Sequence, residues 1–142
     1  MAFSMKMNFV DVICDSSLKN LYTSGEKIGC FFDVRLGYYR GHWLSCIDRL
    51  EVKIDGEAVD SEKIRFGING KEFSICQLRL CNSEFWHLLD PARITVLRKG
   101  GLSNGEHHIE LVLFLRVPYL PIGPNRMYMP LDSSGEKTLK VE

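Results

Sequence analysis

Apolar and polar residues alternate with period two along most of this chain, the pattern of strands that bury one face and wet the other. Ile28, Cys30, Phe32, Val34 and Leu36 line one face of a first run. Leu50, Val52 and Ile54 line a second, while Arg49, Glu51, Lys53 and Asp55 alternate in charge opposite them. That charged face reads as solvated, with neighbouring opposite charges, and not as a catalytic carboxylate pair. Asp55-Gly56 ends the run in a turn. Ile64, Phe66 and Ile68 lead to Asn69-Gly70 and then to Phe73 and Ile75. Asn-Gly between alternating runs predicts a tight hairpin, because both central residues take positive φ. Ile94 and Val96 mark a further strand, and after a glycine-rich connection at 99–105 the longest runs from His107 to Val117. Its odd positions, Ile109, Leu111, Leu113, Leu115 and Val117, are apolar; its even positions pass from His108 and Glu110 to Val112 and Phe114. A strand apolar on both faces needs two covers. One is the core, and the other is a second layer or another chain.

The one helix candidate is Ser83–Leu89, with Ser83 as cap and Asp90-Pro91 as stop. Phe85, Trp86, Leu88 and Leu89 fit a buried strand equally well, and periodicity does not decide at this length. Six to nine short strands separated by turns predict an all-β fold, an antiparallel β-sandwich or jelly roll, as a single domain over 1–142. Pro118, Pro121, Pro124 and Pro130, four of the five prolines, fall close together. Their spacing predicts an extended, polyproline-like arm carrying Tyr119, Leu120, Ile122, Met127, Tyr128 and Met129, apolar enough to pack on its own domain or a neighbour. Residues 131–142 are polar and are expected to fray.

Composition narrows the functional classes. With 142 residues, 45% hydrophobic and 25% charged, the chain has globular averages that argue against disorder and coiled coil. Eighteen basic residues balance eighteen acidic ones, so no nucleic acid or anionic membrane is favoured as partner. No apolar run reaches the length of a membrane span, and residues 1–14 lack an uninterrupted apolar signal core, so a cytoplasmic location is expected. Five cysteines (Cys14, Cys30, Cys46, Cys76 and Cys81), odd in number and without a C-x-x-C pair, read as reduced, mainly structural thiols. Between Phe31 and Trp43 stand five aromatics in thirteen residues, Phe31, Phe32, Tyr38, Tyr39 and Trp43, interleaved with Arg35, Arg40 and His42. Aromatic plus arginine is the composition of interface hot spots, although Phe32 belongs to the core by its phase.

Catalytic motifs are missing. His107 and His108 are adjacent on a strand and point to opposite faces, so they cannot clamp one metal together. His42 and His87 lack partners at ligand spacing. The 99–105 loop lacks the lysine-serine/threonine of a P-loop and joins strand to strand. No serine has the setting of a nucleophile elbow. No catalytic residue, metal or cofactor is therefore expected in this chain. The residues alone describe a soluble β-sandwich with an aromatic and proline-rich binding surface.

Two stretches resemble a known family. Tyr38-Tyr39-Arg40-Gly41, Leu44-Ser45-Cys46-Ile47 and Leu50-Glu51-Val52-Lys53-Ile54-Asp55-Gly56-Glu57 form the first. Gly100-Gly101-Leu102, Gly105-Glu106-His107 and Leu113 to Pro121, ending Arg116-Val117-Pro118-Tyr119-Leu120-Pro121, form the second. Ile64-Arg65-Phe66 and Phe73 fit between them, so that roughly 35–125 resembles the small, beta subunit of bacterial C-glycoside deglycosidases. The resemblance implies a β-sandwich that joins a larger alpha subunit similar to metal-dependent sugar isomerase barrels. It implies a carbon–carbon lyase complex acting on 3-oxo-C-glycosides, with a divalent, manganese-like metal and the acid–base residues in the alpha subunit. The beta chain would be non-catalytic, shaping the pocket and supporting the hetero-oligomer. Tyr38, Tyr39, Arg40, Trp43, Arg116, Tyr119 and Leu120 are the residues expected at or near the contact. Two other readings compete. A stand-alone carbohydrate-binding sandwich would use Tyr38, Tyr39 and Trp43 as a sugar-stacking platform. An independent lyase or hydrolase would need a carboxylate or histidine cluster.

Overall fold

The computed structural model describes residues 5, 6, 8, 10–38, 40–121 and 128–141, with backbone alone at 5, 118–121 and 128. These residues form thirteen strands and almost no helix. The first eight are β1 (Met5–Lys6), β2 (Lys19–Thr23), β3 (Glu26–Val34), β4 (His42–Trp43), β5 (Ile47–Ile54), β6 (Glu57–Ala58), β7 (Ile64–Ile68) and β8 (Lys71–Ser74). A single helical turn, α1 (Ile75–Leu78), separates them from β9 (Phe85–Trp86), β10 (Ala92–Leu97), β11 (Gly105–Pro121), β12 (Tyr128–Asp132) and β13 (Gly135–Val141). One sheet runs β1-β12-β11-β5-β6 with β13 also on β11; a second runs β2-β3-β10-β7-β8; β4 and β9 pair by themselves. The pairing is antiparallel apart from β1 with β12. Phe32, Phe66 and Ile94 of one large sheet and Val52, Leu113 and Leu139 of the other share one apolar core, which makes the two a sandwich.

The tight turns follow the residues that tolerate positive φ. Asn69 and Gly70 have φ of 54° and 74° and join Ile68 to Lys71 in register. Asp55 and Gly56 do the same between β5 and β6, as do Ser24 and Gly25 between β2 and β3. β5 buries Leu50, Val52 and Ile54 and leaves Arg49, Glu51 and Lys53 in water, as its alternation requires. β3 departs from strict alternation. Leu21 opposes Gly29 but Tyr22 opposes Lys27, so Ile28 is the extra residue of a β-bulge and is exposed. Gly29 then lies so close to β10 that a Cβ there would stand 2.2 Å from the Val96 carbonyl oxygen.

β11 is the spine of its sheet. Its odd residues Ile109 to Val117 are all buried, each worth roughly 1.5–3 kcal/mol relative to exposure. On one edge it takes β5. On the other it takes β13 and then β12 in one register as far as Val117, Leu111 opposite Gly135 and Phe114 opposite Asp132, before a shift between Val117 and Pro121. Between them Ser133 donates its N–H to the Leu113 carbonyl, and the Ser134 hydroxyl accepts from the Leu113 N–H.

Two expectations are corrected here. The stretch expected to fray, 131–142, is ordered through residue 141, since β13 spans Gly135–Val141 and Leu131, Ser133, Leu139 and Val141 are buried. The polar residues Glu136, Thr138 and Lys140 are the wet face of an alternating strand. The proline-rich segment is not an extended arm where it is described. Pro118 and Pro121 end β11, Pro130 lies in β12, and Arg116 to Pro130 and Pro121 to Tyr128 are paired across the ladder. Backbone pairing along β11 overrides the local preference of the prolines. Ile122, Pro124 and Met127 lie outside the described residues.

His107 closes one end of the sandwich. Its Nδ1 meets the Asp55 carboxylate at 2.6 Å and its Nε2 meets the Ser103 carbonyl at 2.8 Å. Both ring nitrogens face acceptors, so the Asp55 contact, aided by Ser103, raises the pKa of His107 against the opposing effect of burial. The same contact, with the His108 N–H, holds Asp55 below its usual range. The His107 contribution is present below its ordinary value of 6.5 and is lost as pH rises through the raised folded value. The Asp55 contribution is present above 3.8 and is lost as pH falls through the lowered one. Asp55→Asn keeps a turn former, and is expected to lower Tm by about 3 °C near pH 6, the exposed carboxylate being screened. Thermal unfolding across pH 4–9 checks this, and a deficit that does not shrink above pH 8 would count against the ion pair.

Candidate functional site

Residues 41–45 are held against the long connection between β8 and β10. His42 pairs with Trp86 and Trp43 with Phe85 across β4 and β9. Leu44 N–H donates to the Glu84 carbonyl at 2.9 Å and Ser45 N–H to that of Cys81 at 3.2 Å. A Cβ at Gly41 would lie 2.5 Å from a Phe85 ring carbon and 2.6 Å from the Trp86 carbonyl oxygen, so only glycine permits this approach. Asn69 and Lys71 of the β7–β8 hairpin bind the Phe85 carbonyl and the Glu84 carboxylate from below. Trp86 anchors the whole. Its fully buried ring meets Phe66 edge-on at 5.3 Å, and its Nε1–H donates to the Asp90 carbonyl at 2.8 Å. Ser83–Leu89 is thus a two-residue strand within turns, and Leu89, far from buried, is 90% exposed.

The aromatic residues of 31–43 separate rather than share one surface. Phe32 is in the core, Phe31 lies under the Arg93 guanidinium at 4.1 Å, and Tyr38 is buried with its ring 5.8 Å from that of His42. Arg40 is exposed, and Tyr39 lies outside the described residues. Trp43 is 43% exposed and stands edge-on to Phe85 at 4.9 Å, which in turn meets His87 at 4.9 Å. Leu80, 72% exposed, projects from the same connection. Buried Tyr38 offers no face to a flat sugar-stacking platform.

His42 is buried, and neither ring nitrogen has a well-formed hydrogen bond among the described residues. Burial pulls its pKa down, with the Arg40 backbone opposing, so the ring is neutral at pH 7. Arg116 is among the residues expected at the contact. It lies beyond half-buried Phe114 on the outer face of β11, donating to the Ser45 carbonyl at 2.6 Å and reaching Asp48 at 3.7 Å. Partial burial raises the Asp48 pKa and Arg116 opposes it, as expected of a long, half-exposed pair. Arg116 and Trp43 therefore flank one segment, 43–48. Tyr119 and Leu120 continue the β11 backbone, their side chains lying outside the described ones. Exposed Leu80 and Leu89 and half-buried Phe85 lie on that same connection between β8 and β10. No period marked them, because two-residue strands and turns have none.

The thiols are free. Burial pushes the Cys30 thiol up to about 11 and raises Cys14, Cys46 and Cys81, so none of these is an activated nucleophile. A cleft of about 930 Å³ between β2 and β13, lined by Asp15, Leu18, Tyr22 and Thr138 among others, brings together none of the residues singled out by the sequence. No helix among the described residues is long and apolar enough to cross a membrane.

The described residues thus form an all-β fold in which exposed Trp43, seated on Phe85, lies close along the chain to the Ser45 carbonyl that Arg116 of β11 holds. Comparison with known proteins gives this fold its family. Residues 9–119 match the model of the C-glycoside deglycosidase beta subunit. The chain is 33% identical over 106 residues to the 3'-dehydrocarminate deglycosidase beta subunit of a Microbacterium species, covering 73% of this chain and 78% of that one. It is 33% identical over 124 residues to a C-glycoside deglycosidase beta subunit of Microbacterium trichothecenolyticum, covering 85% and 89%. A beta subunit of the same name from Eubacterium cellulosolvens is 33% identical over 98 residues, covering 69% and 67%. The chain belongs to the C-glycoside deglycosidase beta subunit family. The name of that family implies a partner subunit in a complex.

Proposed function

We propose that this chain is the non-catalytic beta subunit of a cytoplasmic C-glycoside-cleaving lyase, binding a larger barrel-type alpha subunit and shaping its pocket. Family membership over residues 9–119, which include Trp43 and Arg116, carries the reading. The substrate class is a 3-oxo-C-glycoside, in keeping with the 3'-dehydrocarminate named for one relative. A ketone at C3 acidifies the proton at C2, and removing that proton allows the aglycone to leave. A divalent, manganese-like metal in the alpha subunit would supply charge stabilisation at the keto oxygen. The contact is built from Arg40, Trp43, Arg116, Tyr119 and Leu120 with Tyr39, while buried Tyr38 supports it from beneath. Trp43 is the anchor, because an exposed aromatic seated on a rigid neighbour loses little side-chain freedom on binding.

The test is co-expression with a candidate alpha subunit, followed by light scattering and assay on a 3-oxo-C-glucoside. A stable, metal-dependent complex is expected, with this chain inert alone. A well-behaved monomer that ignores the partner would overturn the proposal.

A further inference from the structure

Away from the proposed interface, the wet face of β11 and β13 gathers three ligand-bearing side chains. His108 and Glu110 are two residues apart on β11 and so share a face. On β13, Glu136 stands directly opposite Glu110, and Thr138 opposite His108. Two glutamates facing each other across neighbouring strands repel. Lys53 lies opposite Glu110 on β5, yet among the described residues neither glutamate forms an ion pair with a lysine or arginine. Both carboxylates turn instead toward His108 Nε2, which lies 3.5 Å from Glu136 and 3.7 Å from Glu110. Those separations are too long for hydrogen bonds. They are close to the edge of about 3.4 Å between two ligands each about 2.1 Å from a tetrahedral cation. The three ligand atoms lie within 4.8 Å of one another. The other ring nitrogen, Nδ1, meets the Thr138 hydroxyl at 3.1 Å. If Nδ1 carries the proton and donates it to Thr138, the Nε2 lone pair faces the glutamates, which is the usual outer-shell arrangement of a metal-ligating histidine.

We propose that His108, Glu110 and Glu136 form a binding site for a divalent transition cation, with water completing the coordination. One imidazole and two carboxylates form a donor set suited to zinc. The site does not depend on the proposed lyase function. Its effect is structural: the cation cancels the repulsion between the two glutamates and ties β13 to β11. The side chains of His108 and Glu110 are 41% and 36% exposed, so an ion reaches them without the sandwich opening.

The experiment is a zinc titration by isothermal calorimetry of the full chain, stripped with chelator and with accessible thiols alkylated so that cysteine does not compete. One zinc per chain is expected, together with a rise in Tm. His108→Ala and Glu136→Gln should abolish both effects. Thr138→Val, which removes only the oxygen orienting the ring, should weaken binding about tenfold. All three positions lie on the wet face, and circular dichroism confirms that each variant is folded. If the chain is soluble only with its partner, the wild-type and variant complexes are compared, and the difference in zinc per beta chain is the readout. No binding up to millimolar zinc, or equal binding by His108→Ala and Glu136→Gln, overturns the site.

Discussion

Trp86→Ala is expected to lower the unfolding free energy by about 3–5 kcal/mol, among the largest effects available to one substitution here. Trp86 is fully buried, packs edge-on against Phe66, and gives its indole N–H to the Asp90 carbonyl. Truncation leaves a ring-sized cavity and deprives that carbonyl of its indole donor. It also removes the anchor on which β9 and β4 rest, so the Trp43 surface should loosen with the core. Urea unfolding followed by far-ultraviolet circular dichroism measures the loss. Trp86→Phe, which keeps most of the apolar volume, should recover more than half of it. A deficit below about 1.5 kcal/mol for the alanine variant would mean that the connection collapses onto the gap.

Trp43→Ala should act in the opposite manner, sparing the fold and harming the complex. The ring is nearly half exposed, and its edge-on contact with Phe85 is worth about 0.5–1.5 kcal/mol. Stability should therefore fall by no more than about that amount. As the proposed anchor of the partner contact, it should cost about 2 kcal/mol of association, or roughly 30-fold in Kd. Sedimentation or surface plasmon resonance with the alpha subunit reads the change directly. Undiminished affinity would remove Trp43 from the contact and shift attention to Arg116.

Much of the sandwich was legible because its signals are local. Asn69-Gly70 needs only its own dihedrals to make a hairpin, and the burial of Leu50, Val52 and Ile54 follows from period two. β13 was hidden since only Leu139 and Val141 show its inner face, and the inward-facing Lys137 breaks the alternation. That lysine escapes the core by reaching Asp15 at 2.5 Å and Asp11 at 2.9 Å. The bulge at Ile28 is a property of pairing with β2, which one strand cannot reveal. Trp43 was named from composition and Arg116 through the family resemblance, but their approach to the same segment, 43–48, depends on folding. The grouping of His108, Glu110 and Glu136 needed the register of β13 on β11. His107 and His108 do diverge as expected, and each then finds carboxylates on its own side.

The order in which these strands pair has a consequence for how the chain reaches this state. The sheets are joined by distant partners, Ile54 with Ile109 and Val34 with Ala92, and only the turns are closed locally. Such topologies pay loop-closure entropy before their pairings reward it and fold in milliseconds to seconds, slowly for a chain of this size. Until β11 arrives, the apolar inner face of the β5–β6 hairpin has no partner, and during synthesis it waits exposed while the residues up to 117 are added. The long central strand that gives the finished sandwich its rigidity thus also sets the interval in which the nascent chain is most open to misassociation.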